Sequence, residues 1–250
     1  MQKELSVFLI TKQEGKNLDA CLASVKDLAG EIVIVDSGST DDTLEIAKKY
    51  GAIIYHKDFT SFTEQKNFAL EKTTKTWSLN LDADETLTPA LAREIEDTLK
   101  NPKYDAYELL RSSVFLGRHM KHGGMAKEKC LRLVKKSKAK YVGGRVHERL
   151  EVVGEIGLLK NIFMHNTYIS IEQYFAKFNH YTSLAAQTMY ENKKKFNPLK
   201  LLASPFYFSK IYLFKFGFLD GIEGFLWALF SSFYPVVKYA KLWDLQRKDK

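Results

Sequence analysis

Hydrophobic and polar positions along the first hundred residues form blocks that predict strands and helices in turn. The apolar runs Ser6–Thr11, Glu31–Asp36 and Trp77–Leu81 are short and continuous, as in strands buried on both faces. Between the first two runs, Asn17–Leu28 has apolar residues at helical spacing. Strands that alternate with helices at this pitch predict an α/β fold built on a Rossmann-like, mostly parallel sheet with flanking helices.

The other predicted elements continue this pattern and then depart from it. We predict further helices over 41–50, 61–72, 89–100 and 170–195, and further strands over 51–55, 104–111, 129–134 and 150–153. Pro89 suits the first turn of the helix that it opens. After Asn101-Pro102 the alternation ends: the strands up to 153 are separated by loops, and the helix over 170–195 follows them.

The last quarter of the chain is apolar but interrupted by charges. Its longest uncharged stretch, 224–237, has fourteen residues, whereas a spanning helix needs about twenty. We expect two amphipathic helices in a membrane interface, hinged near Gly217–Gly221, with a pair of core-packing helices as the alternative.

Composition and charge limit the functional classes. The 250 residues are 45% hydrophobic, enough for one substantial domain or for one domain with an appendage, and the N-terminus shows no secretory signal. Two distant cysteines favour a reducing compartment. The net charge is +8, and residues 193–250, with eleven Lys or Arg against four acids, carry nearly all of it. Fifteen aromatic residues lie between Phe196 and Trp243.

A basic, aromatic region suits either an anionic membrane surface or single-stranded nucleic acid. Here the aromatic residues lie within apolar runs, as they do for burial or lipid contact. We therefore expect a membrane partner and no nucleic acid.

Polar residues follow three of the predicted strands, where ligands of parallel sheets bind. They are the segments Thr11–Glu14, Asp36–Ser39 and Asp82–Glu85. Asp82 and Asp84 alternate at a strand tip and point to the same side, as ligands of Mg²⁺ or Mn²⁺ would. Two solvated acids that open a helix are the alternative. The chain has neither a dinucleotide-binding glycine motif nor a P-loop motif.

These segments resemble family 2 glycosyltransferases of GT-A fold. The resemblance is carried by Ser6–Thr11, Val35–Thr43, Gln65–Ala69 and Trp77–Glu85, in order and at the family's spacing. Val146–Glu148 and Gly217–Gly221 further resemble the bacterial enzymes that add glucose in β-1,4 linkage to the inner core of lipopolysaccharide or lipooligosaccharide.

The resemblance implies a UDP-sugar donor at the strand ends. Asp36 would hold the uracil, Asp82 would lie near the ribose and metal, and Asp84 would bind Mg²⁺ or Mn²⁺. His165 resembles a further metal ligand, although a packed histidine is the common alternative. The other donor-site candidates are Thr11, Glu14, Ser39, Lys66, Arg132 and Arg145. For Lys66 a solvated helix lysine, and for either arginine an ordinary ion pair, is the competing interpretation.

The implied reaction is an inverting transfer, which needs one general base. The candidate is Glu148, after His147, where the family usually has an acidic pair; a surface acid is the alternative. The acceptor would be a lipid-linked saccharide such as the lipooligosaccharide inner core. Residues 1–168 would form the catalytic domain, and 169–250 would hold it peripherally on the cytoplasmic face of the bacterial inner membrane.

Two other classes of function remain open. Nucleotidyltransferases share the sheet and the metal, whereas a phosphatase would need an aspartate where the first strand ends in Thr11-Lys12-Gln13. A basic module that binds membrane or nucleic acid without catalysis is the other alternative.

Overall fold

The computed structural model describes residues 4–143 and 148–248. Within them, the strands are β1 (Leu5–Thr11), β2 (Glu31–Asp36), β3 (Ile53–His56), β4 (Trp77–Asn80), β5 (Glu85–Leu87), β6 (Ala106–Phe115), β7 (Arg118–His119), β8 (Glu128–Lys135), β9 (Ala139–Gly143), β10 (Glu148–Val152) and β11 (Ile156–Tyr168). The α-helices are α1 (Gly15–Val25), α2 (Thr43–Lys49), α3 (Phe62–Lys72), α4 (Pro89–Lys100), α5 (Ile171–Glu191), α6 (Ser204–Ser209), α7 (Gly221–Ser232) and α8 (Tyr234–Lys248).

The main sheet is mixed, which corrects the prediction of a mostly parallel sheet. Its order is β3-β2-β1-β4-β8-β6-β11-β5, with β7 beside β6, while β9 and β10 form a separate antiparallel pair. The pairs among β3, β2, β1 and β4 are parallel. β8 is antiparallel to β4 and β6, and β11 is antiparallel to β5. Helices connect the parallel strands, whereas the later strands, apart from β5 and β6, which α4 connects, are joined by turns and loops.

Helices cover both faces of the parallel half, and this explains its continuous apolar strands. On one face, Val7 and Leu9 of β1 and Ile34 of β2 belong to a core that includes residues of α1 and α4. On the other face, Phe8 and Val33 pack with residues of α3. Side chains of a strand alternate between faces, so successive apolar residues of these strands enter one core or the other.

The chain divides into two compact units, and the division falls inside β6 and β11. The first comprises the residues up to Arg111 together with Glu128–His165; the second comprises Ser112–Lys127 together with the residues from Asn166 on. The predicted division at 168 would have put Ser112–Lys127 in the first unit. The segment belongs to the second unit because its Phe115, Met120 and Met125 pack with Tyr174. The assignment of catalysis to 1–168 and of membrane association to 169–250 stays a prediction.

The end of the second unit is helical but more broken than two helices with one hinge. Between α6 and α7 the chain forms a π-helical turn at Lys210–Phe214 and a 3₁₀ turn at Gly217–Asp220. A methyl group on Gly224 would lie 2.0 Å from the Gly217 carbonyl oxygen, so α7 requires glycine there. In the residues that the structure describes, we find no helix with the length and apolarity needed to cross a bilayer.

Candidate active site

The loops after β1 and β2 are tied together by the candidates Thr11, Asp36 and Ser39. Asp36 Oδ1 accepts hydrogen bonds from the hydroxyls of Thr11 (3.0 Å) and Ser39 (2.5 Å). Asp36 Oδ2 accepts from the backbone N–H groups of Gly38 and Ser39, both at 2.8 Å. Burial opposes ionisation of this carboxyl, but the four hydrogen bonds outweigh burial and lower its pKa. Asp36 is thus an ionised anchor for its own turn, and its contact with uracil stays a prediction.

Glu14 joins the same pair of loops. Its backbone N–H donates to Thr43 Oγ1 at 2.8 Å, and its carboxylate accepts from Asn17 Nδ2 at 3.0 Å. The preceding residue, Gln13, has a φ of 58°, a left-handed conformation that turns the chain from β1 into α1. Gln13 N–H then donates to Ser39 Oγ at 2.9 Å. The first two predicted groups therefore form one hydrogen-bonded edge of the sheet.

Asp82, just beyond β4, lies between two cations. Its Oδ2 accepts from Arg132 Nη2 at 2.9 Å, and its Oδ1 lies 3.6 Å from Lys66 Nζ. Burial would raise the pKa of Asp82, but Arg132 and Lys66 outweigh it and hold that pKa well below its usual range. The side chain is 37% exposed, so the ionised group remains accessible to a ligand.

Arg132, one of the predicted diphosphate-binding residues, is instead nearly buried by its partners in the protein. Its guanidinium donates to Asn80 Oδ1 at 2.8 Å and to Glu85 Oε1 at 2.6 Å, as well as to Asp82. Glu85 is fully buried, and burial raises its pKa although Arg132 opposes the shift. A residue so engaged orients the acids, and direct contact with diphosphate stays a prediction.

Asp84 and His165 come together at the same strand tips. His165 Nε2 lies 3.3 Å from Asp84 Oδ2, and both side chains are largely buried. The pairing follows from the sheet, because His165 of β11 is in register with Glu85 of β5, the residue after Asp84. A carboxylate oxygen and an imidazole nitrogen are both common ligands of divalent metals. Within the described ranges, no group of three or more His, Cys, Asp or Glu residues is arranged to hold a metal ion.

Lys66 and Glu148 also reach this site. Lys66 is 7% exposed on α3, which is inconsistent with a solvated helix lysine. Its Nζ lies 3.0 Å from Glu148 Oε1, while it also faces Asp82. Glu148 opens β10 and is mostly buried, so it is not an ordinary surface acid. Its role as the base stays a prediction. Arg145 and His147 lie outside the described residues.

Three residues of the site, Asn80, Gln65 and Glu85, were not named as individual candidates, although Glu85 ends the candidate segment Asp82–Glu85. Asn80 Oδ1 accepts hydrogen bonds from the Tyr141 hydroxyl (3.0 Å) and from Arg132. Gln65 Nε2 donates to Ser37 Oγ (2.8 Å). The third residue, Glu85, accepts a hydrogen bond from the backbone N–H of Asp82 at 3.0 Å. Asn80 was signalled by its polarity inside an apolar strand, and Gln65 by its place in the motif Gln65–Ala69.

Taken together, the site places two ionised carboxylates, Asp36 and Asp82, at the ends of the parallel strands β2 and β4, and two buried cations, Lys66 and Arg132, contact Asp82. Asp36 and Asp82 are both held ionised, one by hydrogen-bond donors and one by positive charge. Asp84 and His165 offer oxygen and nitrogen ligands beside them. Such a site suits a ligand that carries both hydroxyl groups and a metal-bound anion.

Comparisons with known proteins agree with this chemistry. The model of glycosyl transferase family 2 matches residues 6–123. An uncharacterized glycosyltransferase of Rickettsia typhi is 31% identical over 261 residues, which cover 99% of this chain and 89% of the relative. LpsC of Rhizobium meliloti, a lipopolysaccharide core biosynthesis glycosyltransferase, is 29% identical over 249 residues, covering 96% of this chain and 92% of LpsC.

Among solved structures, TarS 1-349 of S. aureus is 13% identical and superposes with a TM-score of 0.47, covering 99% of this chain and 92% of that chain. This structural likeness is too weak to carry an argument about function. The similarity over nearly the whole sequence is what assigns the family.

Proposed function

The chain belongs to glycosyltransferase family 2, and on that premise we propose that it transfers a hexose, glucose by preference, from a UDP-sugar to a lipid-linked saccharide with inversion. The full-length similarity to LpsC supports an acceptor of the lipopolysaccharide or lipooligosaccharide core type. The choice of glucose rests on the resemblance of Val146–Glu148 and Gly217–Gly221 to the glucose-adding subgroup.

Donor binding would use the joined ends of β1, β2 and β4. Asp36, ionised and anchored by Ser39 and Thr11, is suited to accept from a nucleobase N–H. Asp82 is suited to accept from ribose hydroxyls, because its cation partners keep it ionised while part of it stays exposed. Lys66 and Arg132 would also offset the negative charge of a diphosphate near them.

Asp84 and His165 would hold the divalent ion. Their 3.3 Å spacing is close to that of two adjacent ligands on an octahedral ion with bonds of about 2.1 Å. Oxygen and nitrogen ligands suit Mn²⁺ as well as Mg²⁺. The remaining ligands would be diphosphate oxygens and water. When bound, the ion would neutralise charge on the departing UDP.

Glu148 would act as the base. It would take the proton of the acceptor hydroxyl as that oxygen bonds to the anomeric carbon and UDP leaves with the electrons of the broken bond. Its ion pair with Lys66 fixes the Glu148 carboxylate at the same site as Asp82. Removing the Glu148 carboxylate should therefore slow transfer far more than it weakens UDP binding.

The convergence of Asp84 and His165, 81 positions apart in sequence, is the observation that best supports this proposal. The test is a panel of UDP-sugars with Mn²⁺, assayed by UDP release with and without lipooligosaccharide. UDP release from UDP-glucose that increases with acceptor is expected. Pyrophosphate release from UTP would instead favour a nucleotidyltransferase, and no turnover of any nucleotide would favour a binding module.

Peripheral association with the cytoplasmic face of the bacterial inner membrane completes the proposal. Residues 192–219 contain six lysines and no acidic residue. Large apolar side chains of this segment are strongly exposed, among them Leu202 (75%), Phe206 (68%) and Phe214 (78%). Exposed apolar side chains among lysines favour an anionic bilayer surface, where each lysine contributes about 1 kcal/mol.

A further inference from the structure

A pocket in the second unit is built around the β6–β7 hairpin. Leu116 and Gly117 form its two-residue turn, both with positive φ (50° and 81°), as in a type I′ turn. The turn directs the chain into Arg118 and His119 and then into Lys121 and His122. These four nitrogen-bearing residues line a pocket of about 710 Å³, together with Gly117, Leu219 and Asp220.

Asp220 is a buried carboxylate whose oxygens are used within the protein. Its Oδ2 accepts a hydrogen bond from the backbone N–H of His122 at 2.7 Å. Both carboxylate oxygens lie 3.2 Å from the backbone nitrogen of Lys121, whose N–H also donates to them. Its Oδ1 lies 3.1 Å from His122 Nδ1. This carboxylate therefore fixes the wall of the pocket, and its charge is offset by donors.

The two histidines have defined roles in that wall. Ser112 Oγ donates its hydrogen to the Ala126 carbonyl oxygen (2.7 Å), so His119 Nε2 must be the donor in its 2.7 Å contact with Ser112. Because the Asp220 carboxylate can only accept, His122 Nδ1 is the donor in their 3.1 Å contact.

The positive charge of the pocket comes from Arg118 and Lys121, which both remain accessible. Arg118 is 45% exposed, and its contact with Glu223 is a loose 3.7 Å. Lys121 is exposed as well. The N–H donors of these two accessible cations suit a compact anion such as a phosphate group.

One rim of the pocket is apolar. Leu219 lines the pocket and is 53% exposed, and its neighbours Phe218 and Ile222 are exposed too. Phe216, one turn earlier, has a φ of 57°, which is unfavourable for a residue with a side chain, and its ring is largely in solvent. A cationic pocket with an apolar rim matches a ligand that has an anionic head and an acyl chain.

We propose that this pocket binds a phosphate group of an amphiphilic, lipid-linked ligand, with Arg118 and Lys121 on the phosphate and Leu219 and Ile222 on the lipid. The proposal rests on the proposed function, because it makes that ligand the acceptor. It gives the segment Gly217–Gly221 a role: Asp220 shapes the anion site, and the flanking apolar residues receive the lipid.

The test is calorimetric titration of the full chain with dihexanoyl phosphatidic acid, a soluble phosphate-bearing lipid. Dihexanoyl phosphatidylcholine and inorganic phosphate are the comparison ligands. The variant is Arg118→Gln with Lys121→Gln, both exposed, so that folding is preserved. The matched control is Lys26→Gln with Lys48→Gln, two exposed lysines of the first unit that leave the same total charge.

Phosphatidic acid should bind the wild type and the control equally, and the pocket variant about tenfold more weakly or worse. Phosphatidylcholine and free phosphate should each bind about tenfold more weakly than phosphatidic acid. Equal binding by the variant, or equal binding of both lipids, would overturn the proposal. Free phosphate that binds as tightly as the lipid would overturn the amphiphile assignment.

The two proposals fail separately. A wild type that releases UDP from a UDP-sugar but ignores phosphatidic acid refutes the pocket alone. A wild type that binds phosphatidic acid through Arg118 and Lys121 but turns over no UDP-sugar refutes the proposed function, and the acceptor role with it.

Discussion

Individual residues of the site are held by charges that no single element provides. Arg132 of β8 joins Asn80 of β4, Asp82 beyond it and Glu85 of β5 through one guanidinium. A planar group with five donors suits this task better than the point charge of a lysine. The cost of burying Arg132 and Glu85 is offset only while both are present.

Arg132→Met should therefore lower the free energy of unfolding by about 3 kcal/mol, because buried Glu85 then keeps only the more distant Arg111, whose Nη1 lies 3.8 Å from Glu85 Oε1. Urea unfolding followed by circular dichroism measures the change. Lys49→Met, which breaks an ion pair with Asp19 that lies largely in solvent, is the control and should leave the midpoint nearly unchanged. An Arg132→Met variant as stable as the wild type would contradict the described role of Arg132.

A second prediction at this scale concerns pH. Hydrogen bonds from Lys135 and Lys138 lower the pKa of Asp105 to about 2, against an unperturbed value of about 3.9. A lowered carboxyl pKa stabilises the fold above pH 3.9, and this contribution is lost as the pH falls towards 2. Asp105→Asn should thus lower the urea midpoint at pH 7.

The same Asp105→Asn variant should unfold at the wild-type midpoint near pH 2. Asp58→Asn, at a side chain that is 96% exposed, is the control. If Asp105→Asn lowers the urea midpoint as much at pH 2 as at pH 7, the lost stability comes from packing and not from ionisation.

At the scale of elements, the sequence pattern predicted the strands that are buried on both faces and missed a strand, β11, whose residues are only partly buried. The ends of β2 were predicted to the residue, and α4 was predicted with Pro89 in its first turn and an end near Lys100, because continuous apolar runs and a proline start are local signals. β11 was missed: Lys160 and Asn161 interrupt it, and its buried and exposed residues are mixed. Its antiparallel pairing with β5 depends on contacts across the chain that no local pattern carries.

The site was predictable to the same extent. Asp36, Asp82 and Asp84 were selected as candidates because acids that follow apolar strands stand out in sequence. Asn80 and Glu85 were not selected, because their roles come from Arg132, which lies 52 and 47 positions away. Lys66 was selected, but its pairing with Glu148 across 82 positions could only be seen in the fold.

For the whole molecule, the segment 192–219 is notable because it combines six lysines with exposed large apolar side chains, which packing of the fold does not require. Its lysines and exposed apolar side chains belong to the second unit, while α8 packs on α5 through Ala186, Tyr239 and Leu242. Part of the basic, aromatic region is therefore core, as the alternative for this region held. The part that remains exposed lies mainly before α7.

Leu202→Ser with Phe214→Ser should weaken binding to vesicles that contain phosphatidylglycerol by about tenfold or more, because two apolar anchors are lost. Both side chains are mostly in solvent, so the fold should be retained. Val153→Ser, at a residue of the first unit that is 79% exposed, is the matched control. Cosedimentation measures the binding; equal binding by the double variant and the control would place the membrane contact elsewhere.

The central claim is that Asp84 and His165 hold a divalent ion for a UDP-sugar, and UDP binding tests it without knowledge of the acceptor. Calorimetry with UDP in Mn²⁺ and in chelator compares the wild type with Asp84→Asn, and Asp97→Asn at an exposed helix position is the control. We expect Mn²⁺ to tighten UDP binding about tenfold or more in the wild type and the control, and to have no effect in Asp84→Asn. Equal dependence on Mn²⁺ in all three proteins, or none in the wild type, would contradict a metal site at Asp84.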